Sequence, residues 1–155
     1  MRYFKESLET MPRKALEALQ IEKLRSMLKI VYGRNRFYTG KLENAGIHPE
    51  AIKTLEDLSR LPLTTKEELL QAQSDALPFG CNTTFPESAY SRFHQTSGTT
   101  GTPLRVLDTP ESWDWWGRCW GFVLRGAGLT ENDRLFVPFS FGPFIGFWAA
   151  VEGAK

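Results

Sequence analysis

The sequence predicts an α/β chain: a helical first half, then a β-hairpin with a long loop, a helix and a buried strand. Three observations point there. Apolar residues recur at helical spacing up to about residue 75. A Pro/Gly/Asn/Thr-rich stretch over residues 76–89 then breaks the pattern, and after it polar and apolar residues alternate as in strands. Last come a proline-opened helical pattern rich in tryptophan and an uncharged aromatic run.

In chain order, Pro12 suits a first helical turn, and Leu16, Leu19, Leu24, Met27, Leu28 and Val31 follow on one face. A second helix is expected over Tyr38 to Ala45, stopped by Gly46. Pro49 opens a third, with Ile52, Leu55 and Leu58 on one side. "LPLTTKEELLQ" holds two overlapping capping boxes, Thr64 with Glu67 and Thr65 with Glu68, so a fourth helix starts near Lys66. Arg92, His94 and Thr96 alternate with Phe93 and Gln95, and Leu104 and Val106 alternate with Arg105, which predicts two strands of a hairpin. Thr109 caps and Pro110 opens the next helix, whose stripe is Trp113, Trp116, Trp120, Val123 and Leu124. Gly126 and Gly128 end it. At this spacing core packing is the reading of the tryptophans. "RLFVPFSF" reads as a buried strand. The domain division expected is a mainly helical region over 1–89 and the start of an α/β nucleotide-binding subdomain over 90–155.

Composition narrows the class. The chain has 155 residues, 41% hydrophobic and 24% charged, with net charge +1. That describes a globular chain with a real core and no broad basic footprint for nucleic acid. The two cysteines, Cys81 and Cys119, form neither a CxxC pair nor a zinc pattern, and a reducing cytoplasmic setting is expected. No signal-peptide core opens the chain. The run from Leu135 to Val151 is broken by Pro138, Gly142, Pro143 and Gly146, so no membrane span is expected.

The segment "HQTSGTTGTPLRV", His94 to Val106, carries the chemistry. A phosphate cradle needs glycines that let the backbone approach, N–H groups that face an anion, and small hydroxyl donors. Gly98 and Gly101 with Thr96, Ser97, Thr99 and Thr100 supply these types. The spacing is neither a Walker A motif nor G-x-G-x-x-G. On spacing alone an ordinary Gly/Thr-rich turn remains open beside the phosphate loop.

The string Thr96 to Pro103 closely resembles the phosphate-binding signature of acyl-adenylate-forming enzymes. The blocks "AGIHPEAIKTLEDLSRLPLTTKEEL" (45–69), "LPFG" (77–80), "SRFHQTSGTTGTP" (91–103) and "FGPFIGF" (141–147) resemble phenylacetate–CoA ligases. The opening "LETMPRKALEALQIEKLRSMLKIVYGRNRFY" is similar too. This resemblance implies an N-terminal portion of an AMP-forming acid–CoA ligase, with ATP, Mg²⁺ and coenzyme A as its small-molecule partners beside an aryl carboxylic acid. It implies phosphate contacts from Thr96, Ser97, Gly98, Thr99, Thr100 and Gly101, with Pro103 shaping the loop. His94 aligns with a histidine that often precedes the loop, and a satisfied strand histidine is the other reading. Phe139, Phe141, Gly142 and Phe144 fall where the family borders its acid pocket, and ordinary core is the alternative for each. The lysines common in the family and the wider superfamily are replaced by Thr102 and Leu104, leaving Arg105 as the nearest cation.

The family continues beyond residue 155 with motifs for Mg²⁺, adenine and ribose and with a mobile C-terminal domain. The expectation is therefore a chain inactive alone, with exposed apolar surface that takes a second copy or a complementing C-terminal chain. A non-catalytic relative that binds nucleotide or protein is the alternative.

Overall fold

The computed structural model describes residues 2–98 and 101–155. Thr99 and Thr100 of the loop lie outside the described residues. The chain divides into two compact units, Met11–Glu87 and Met1–Thr10 with Ser88–Lys155.

The unit Met11–Glu87 is helical. Its elements are α2 (Arg13–Val31), α3 (Arg36–Asn44) and α4 (Lys66–Asp75), following the short α1 (Glu6–Glu9) of the other unit. Pro12 stands just ahead of α2 rather than inside it. Leu28, Leu42, Ile47 and Ile52 form the buried core, with Ile21, Leu24, Tyr32 and Leu61 packed against it. Ile52 is fully buried, and a side chain of that size contributes about 1.5–3 kcal/mol.

Two caps set the helix starts. Asn35 is buried and its side chain accepts from the Tyr38 amide at 3.0 Å. It also donates to Asn82 and Thr84, so the start of α3 is tied to the loop that follows α4. Thr65 and Glu68 form the full capping box: the Glu68 amide donates to the Thr65 hydroxyl and the Thr65 amide to the Glu68 carboxylate. Of the two expected boxes this is the one that starts α4. Glu68 also takes a bond from Lys41 at 2.5 Å, which holds its carboxyl below the usual range.

The helix expected after Pro49 is instead two 3-10 turns, Pro49–Ala51 and Glu56–Arg60. Asp57 explains the interruption. Its carboxylate accepts from the Lys53 and Thr54 amides at 2.9 and 3.0 Å, which stabilises a non-helical bend. Those bonds and Arg60 hold its pKa at about 2.

In the other unit β1 (Arg92–Gln95) and β2 (Arg105–Asp108) pair antiparallel, with His94 opposite Val106 and Gln95 opposite Arg105. The expected hairpin is present. Thr109 caps α5 (Pro110–Gly126), accepting from the Ser112 amide at 3.2 Å, and Gly128 leaves the helix at φ +88°. Helix α6 (Ile145–Ala154) packs along α5.

The inward face of α5 differs from the expected stripe. Trp113 is buried, but Trp116 is 41% exposed and Val123 56%. Glycines take the close positions instead. A methyl on Gly121 would meet the Phe4 ring at 2.5 Å, and Gly153 of α6 lies directly against Trp120. Phe4 also meets Phe122 edge-on at 5.0 Å, which docks the N-terminal residues onto α5.

The expected buried strand "RLFVPFSF" is not one. Residues 134–140 have no ladder partner among the described residues, and Leu135, Phe136 and Phe139 are exposed. Apolar alternation makes a strand only where a neighbour takes its backbone groups. No described helix is long and apolar enough to cross a membrane. Cys81 and Cys119 are both unpaired thiols.

Candidate functional site

The loop hangs from the ends of β1 and β2, and short-range bonds close its base. The Thr96 amide donates to the Leu104 carbonyl at 2.9 Å. The Leu104 amide returns a bond to the Thr96 hydroxyl at 3.0 Å. Thr96 is therefore engaged in shaping the loop, and its hydroxyl oxygen is an acceptor there. Inside the loop the Gly101 amide donates to the Gly98 carbonyl at 2.9 Å.

Both glycines are required by this geometry. Gly98 has φ +64° and Gly101 φ +138°. A Cβ on Gly98 would lie 2.8 Å from the Gly101 carbonyl oxygen and 2.9 Å from Pro103. A side chain at 98 would thus fill the space the loop folds around. Ser97 is exposed.

Beneath the loop lies a buried polar cluster. His94 is 4% exposed and Asp108 6%. The imidazole stacks on Trp113, with centroids 5.1 Å apart and planes 22° from parallel. Its Nε2 stands 3.9 Å from Asp108 Oδ2, too far for a hydrogen bond. Among the described residues neither imidazole nitrogen has a hydrogen-bond partner, nor do Asp108 Oδ2 and Trp113 Nε1. So His94 is not the satisfied strand histidine that one reading allowed. Burial pushes its pKa below the usual histidine value; Asp108 pulls it up and Arg92 adds to the lowering. The Arg92 guanidinium sits 5.4 Å over the Trp113 ring. Asp108 Oδ1 accepts from the Ser112 hydroxyl at 2.8 Å, linking β2 to the first turn of α5.

The aromatic residues proposed for an acid pocket form a second group. Phe139 stacks on Phe147 at 4.5 Å, and Phe141 meets Trp148 edge-on at 5.1 Å. The Trp148 indole donates to the Gly142 carbonyl at 3.0 Å. Gly142 lies under the Phe144 ring, which a Cβ would meet at 3.0 Å. Phe139 and Phe141 are not core, at 60% and 39% exposed, while Phe144 is half-buried. One bond joins this group to the loop, since the Gln95 amide donates to the Pro143 carbonyl at 2.8 Å. Residue 95 immediately precedes the loop. The two groups thus share an anchor.

Arg105 lies opposite Gln95 at the start of β2, half-buried. A cavity of about 400 Å³ in the same unit is lined by Phe4, Gly121, Leu124, Arg125 and Leu135, among others, and by none of the candidate residues. Among the described residues no cluster of metal-ligating side chains forms. Sequence reasoning missed Asp108, Gln95 and Pro143. Asp108 carried a signal, because it sits two residues after Val106 in an alternating strand and directly before a helix cap. The other two act through backbone atoms, which no residue type announces.

No protein-family model matches the chain. It is 36% identical over 150 residues to the phenylacetate-coenzyme A ligase of Escherichia coli K12, covering 96% of this chain and 33% of that protein. The ligase of that name from Thermus thermophilus is 36% identical over 152 residues, covering 98% and 33%. Among solved structures, 2-hydroxyisobutyryl-CoA ligase in complex with 2-HIB-AMP and CoA in the thioesterification state superposes with a TM-score of 0.92 at 30% identity. That match covers 99% of this chain and 32% of the other. An open conformation of the same ligase gives 0.91 at 28% identity, covering 99% and 35%. The chain is similar to acid–CoA ligases over nearly its whole length and spans about a third of theirs.

Proposed function

We propose that this chain is the loop-bearing portion of an ATP-dependent acid–CoA ligase that activates an aryl carboxylate as its adenylate and passes the acyl group to coenzyme A. The observation that carries the reading is the Gln95–Pro143 bond, which anchors the Gly/Thr loop and the exposed aromatic group at one point. An adenylating site needs these two surfaces side by side, one for phosphate and one for the acid. The similarity to ligases over nearly the whole chain supports the same assignment.

The roles follow from chemistry. Ser97 and Gly98, with Thr99 and Thr100, would hold the ATP phosphates, and Gly98 has no room for a side chain beside Gly101 and Pro103. Thr96 and Pro103 fix the loop base. Phe139, Phe141 and Phe144 would line the acid with aromatic surface. Attack of a carboxylate on a phosphoryl group brings two anions together, so aligned donors and a cation are needed. Mg²⁺ supplies charge of that kind when bound; the described residues offer it no carboxylate cluster, and the phosphates themselves are its natural ligands.

Pyrophosphate exchange into ATP is the test. It should be stimulated by aryl acids in a polypeptide of full ligase length carrying this segment. No stimulation by any of a broad acid panel sinks the ligase reading. ATP–Mg²⁺ titrated into the 155-residue chain tests the loop alone, and Gly98→Ala should weaken what binding is seen by about tenfold or more.

A further inference from the structure

We propose that Trp148 is a positioning residue: its indole N–H pins the Gly142 carbonyl to α6 and, with the Gln95 amide on the next carbonyl, sets where the Phe141 and Phe144 rings stand. The consequence for the choice of acid rests on the reading above; the pin itself does not.

The reach follows from the helix. Side chains on an α-helix lean toward its N-terminus, so a residue near the start covers the chain that leads in. Helix α6 begins at Ile145, and Phe144 at its cap position makes no side-chain cap bond. One turn on, the Trp148 indole donates back to the Gly142 carbonyl at 3.0 Å. The same ring meets Phe141 edge-on at 5.1 Å. The helix that carries it is firmly based, since Gly153 lies directly against Trp120 and the Gly117 carbonyl of α5.

Two neighbouring carbonyls are thus held from two elements. Helix α6 takes Gly142, and the Gln95 amide of β1 takes Pro143 at 2.8 Å. The proline ring restricts the backbone at the second of them. Phe141 stands one residue before the pinned pair and Phe144 one after it. The Phe144 ring also lies over Gly142, where a Cβ would meet it at 3.0 Å. With the Trp148 bond gone, Gln95 alone anchors these two carbonyls, while Phe139 keeps its separate stack on Phe147 at 4.5 Å. The loss therefore falls on Phe141 and Phe144. It spares the loop base, where Thr96 and Leu104 bond each other. Rings that shift change the shape an acid meets and leave the phosphate loop as it was.

Two readouts separate the pin from its consequence. In the 155-residue chain, amide hydrogen exchange reads the pin without any ligand. Trp148→Phe keeps a ring beside Phe141 and removes the donor. Protection of the Gln95 amide should then fall about three- to tenfold, the range of one hydrogen bond, while the Thr96 amide stays within about twofold. Trp148→Gln suits a helix and keeps an amide donor, so it should retain more Gln95 protection than Trp148→Phe. No loss at Gln95 in Trp148→Phe, or equal loss at Gln95 and Thr96, overturns the pin. Equal loss in the two variants assigns the effect to ring packing and overturns it too. If Trp148→Phe does not fold, Trp148→Gln decides: Gln95 protection within about twofold of the parent supports the pin, and a larger loss overturns it. In a polypeptide of full ligase length, pyrophosphate exchange reads the consequence, with phenylacetate, benzoate and hexanoate as probes. Trp148→Phe should raise the KM of the better aryl acid about three- to tenfold, leave the KM of ATP within about twofold, and lower the preference for that acid over hexanoate. Equal rises in both KM values, or none, overturn the role in acid choice. If no acid stimulates exchange in the parent protein, the ligase reading fails, and the amide readout still judges the pin.

Discussion

Gly98 carries two demands at once. At φ +64° any side chain is strained, and here it would also press on the Gly101 carbonyl oxygen. Gly98→Ala should destabilise the local loop by about 1–3 kcal/mol and weaken ATP–Mg²⁺ by tenfold or more, with little change in the melting temperature of the unit. Calorimetric titration beside thermal melting separates the two effects. His94 makes a different prediction. Its pKa is depressed in the fold, so the unfolded chain binds the proton more readily. Stability from this group is present above the unfolded value and falls away as pH drops from about 6.5 through the folded value. Melting followed from about pH 7.5 to about pH 5.5 should show a decline that is shallower in His94→Gln. Two residue types in the loop, Gly and Thr, were legible as special. The partnerless state of His94 was not, because it depends on what two other elements place around the ring.

Local chemistry decided the elements where it was strong. Thr65 and Glu68 announce the start of α4, and Thr65→Ala should cost about 1 kcal/mol in a denaturant titration. Thr109 and Pro110 announce α5 equally well. Asn35 is a cap of the same kind that the apolar pattern passed over, since the helix begins before its apolar residues do. The reading failed where two local signals competed. Ile52, Leu55 and Leu58 are spaced as in a helix, yet Asp57 captures the two amides that such a helix would use. On α5 the inward face runs through glycines, which carry no hydropathy signal, while two stripe residues turn outward. Gly153→Ala tests that close approach. The added methyl meets Trp120 and the Gly117 carbonyl, so the second unit should lose about 1–3 kcal/mol by urea unfolding, with the helices retained in far-UV dichroism.

At the scale of the whole molecule, the unit Met1–Thr10 with Ser88–Lys155 exposes Leu135, Phe136, Phe139, Phe141 and Trp148. Apolar groups in such number favour association. Sedimentation should show self-association growing with concentration, and Phe136→Ser with Phe139→Ser should reduce it; a monomer at all concentrations would refute the expectation. The same exposure explains why "RLFVPFSF" misled. Its composition suits a central strand, and no described neighbour offers a ladder. The sequence by itself determined the starts of α4 and α5 and the hairpin, because caps and alternation act over a few residues. Only tertiary structure decided which side of α5 is buried, that His94 and Asp108 stand buried without hydrogen bonds between them, and that the loop and the aromatic group share the Gln95–Pro143 anchor. Those are contacts between residues far apart in the chain. Their free energy depends on distance and solvent exclusion, and neither is written in any short stretch of residues.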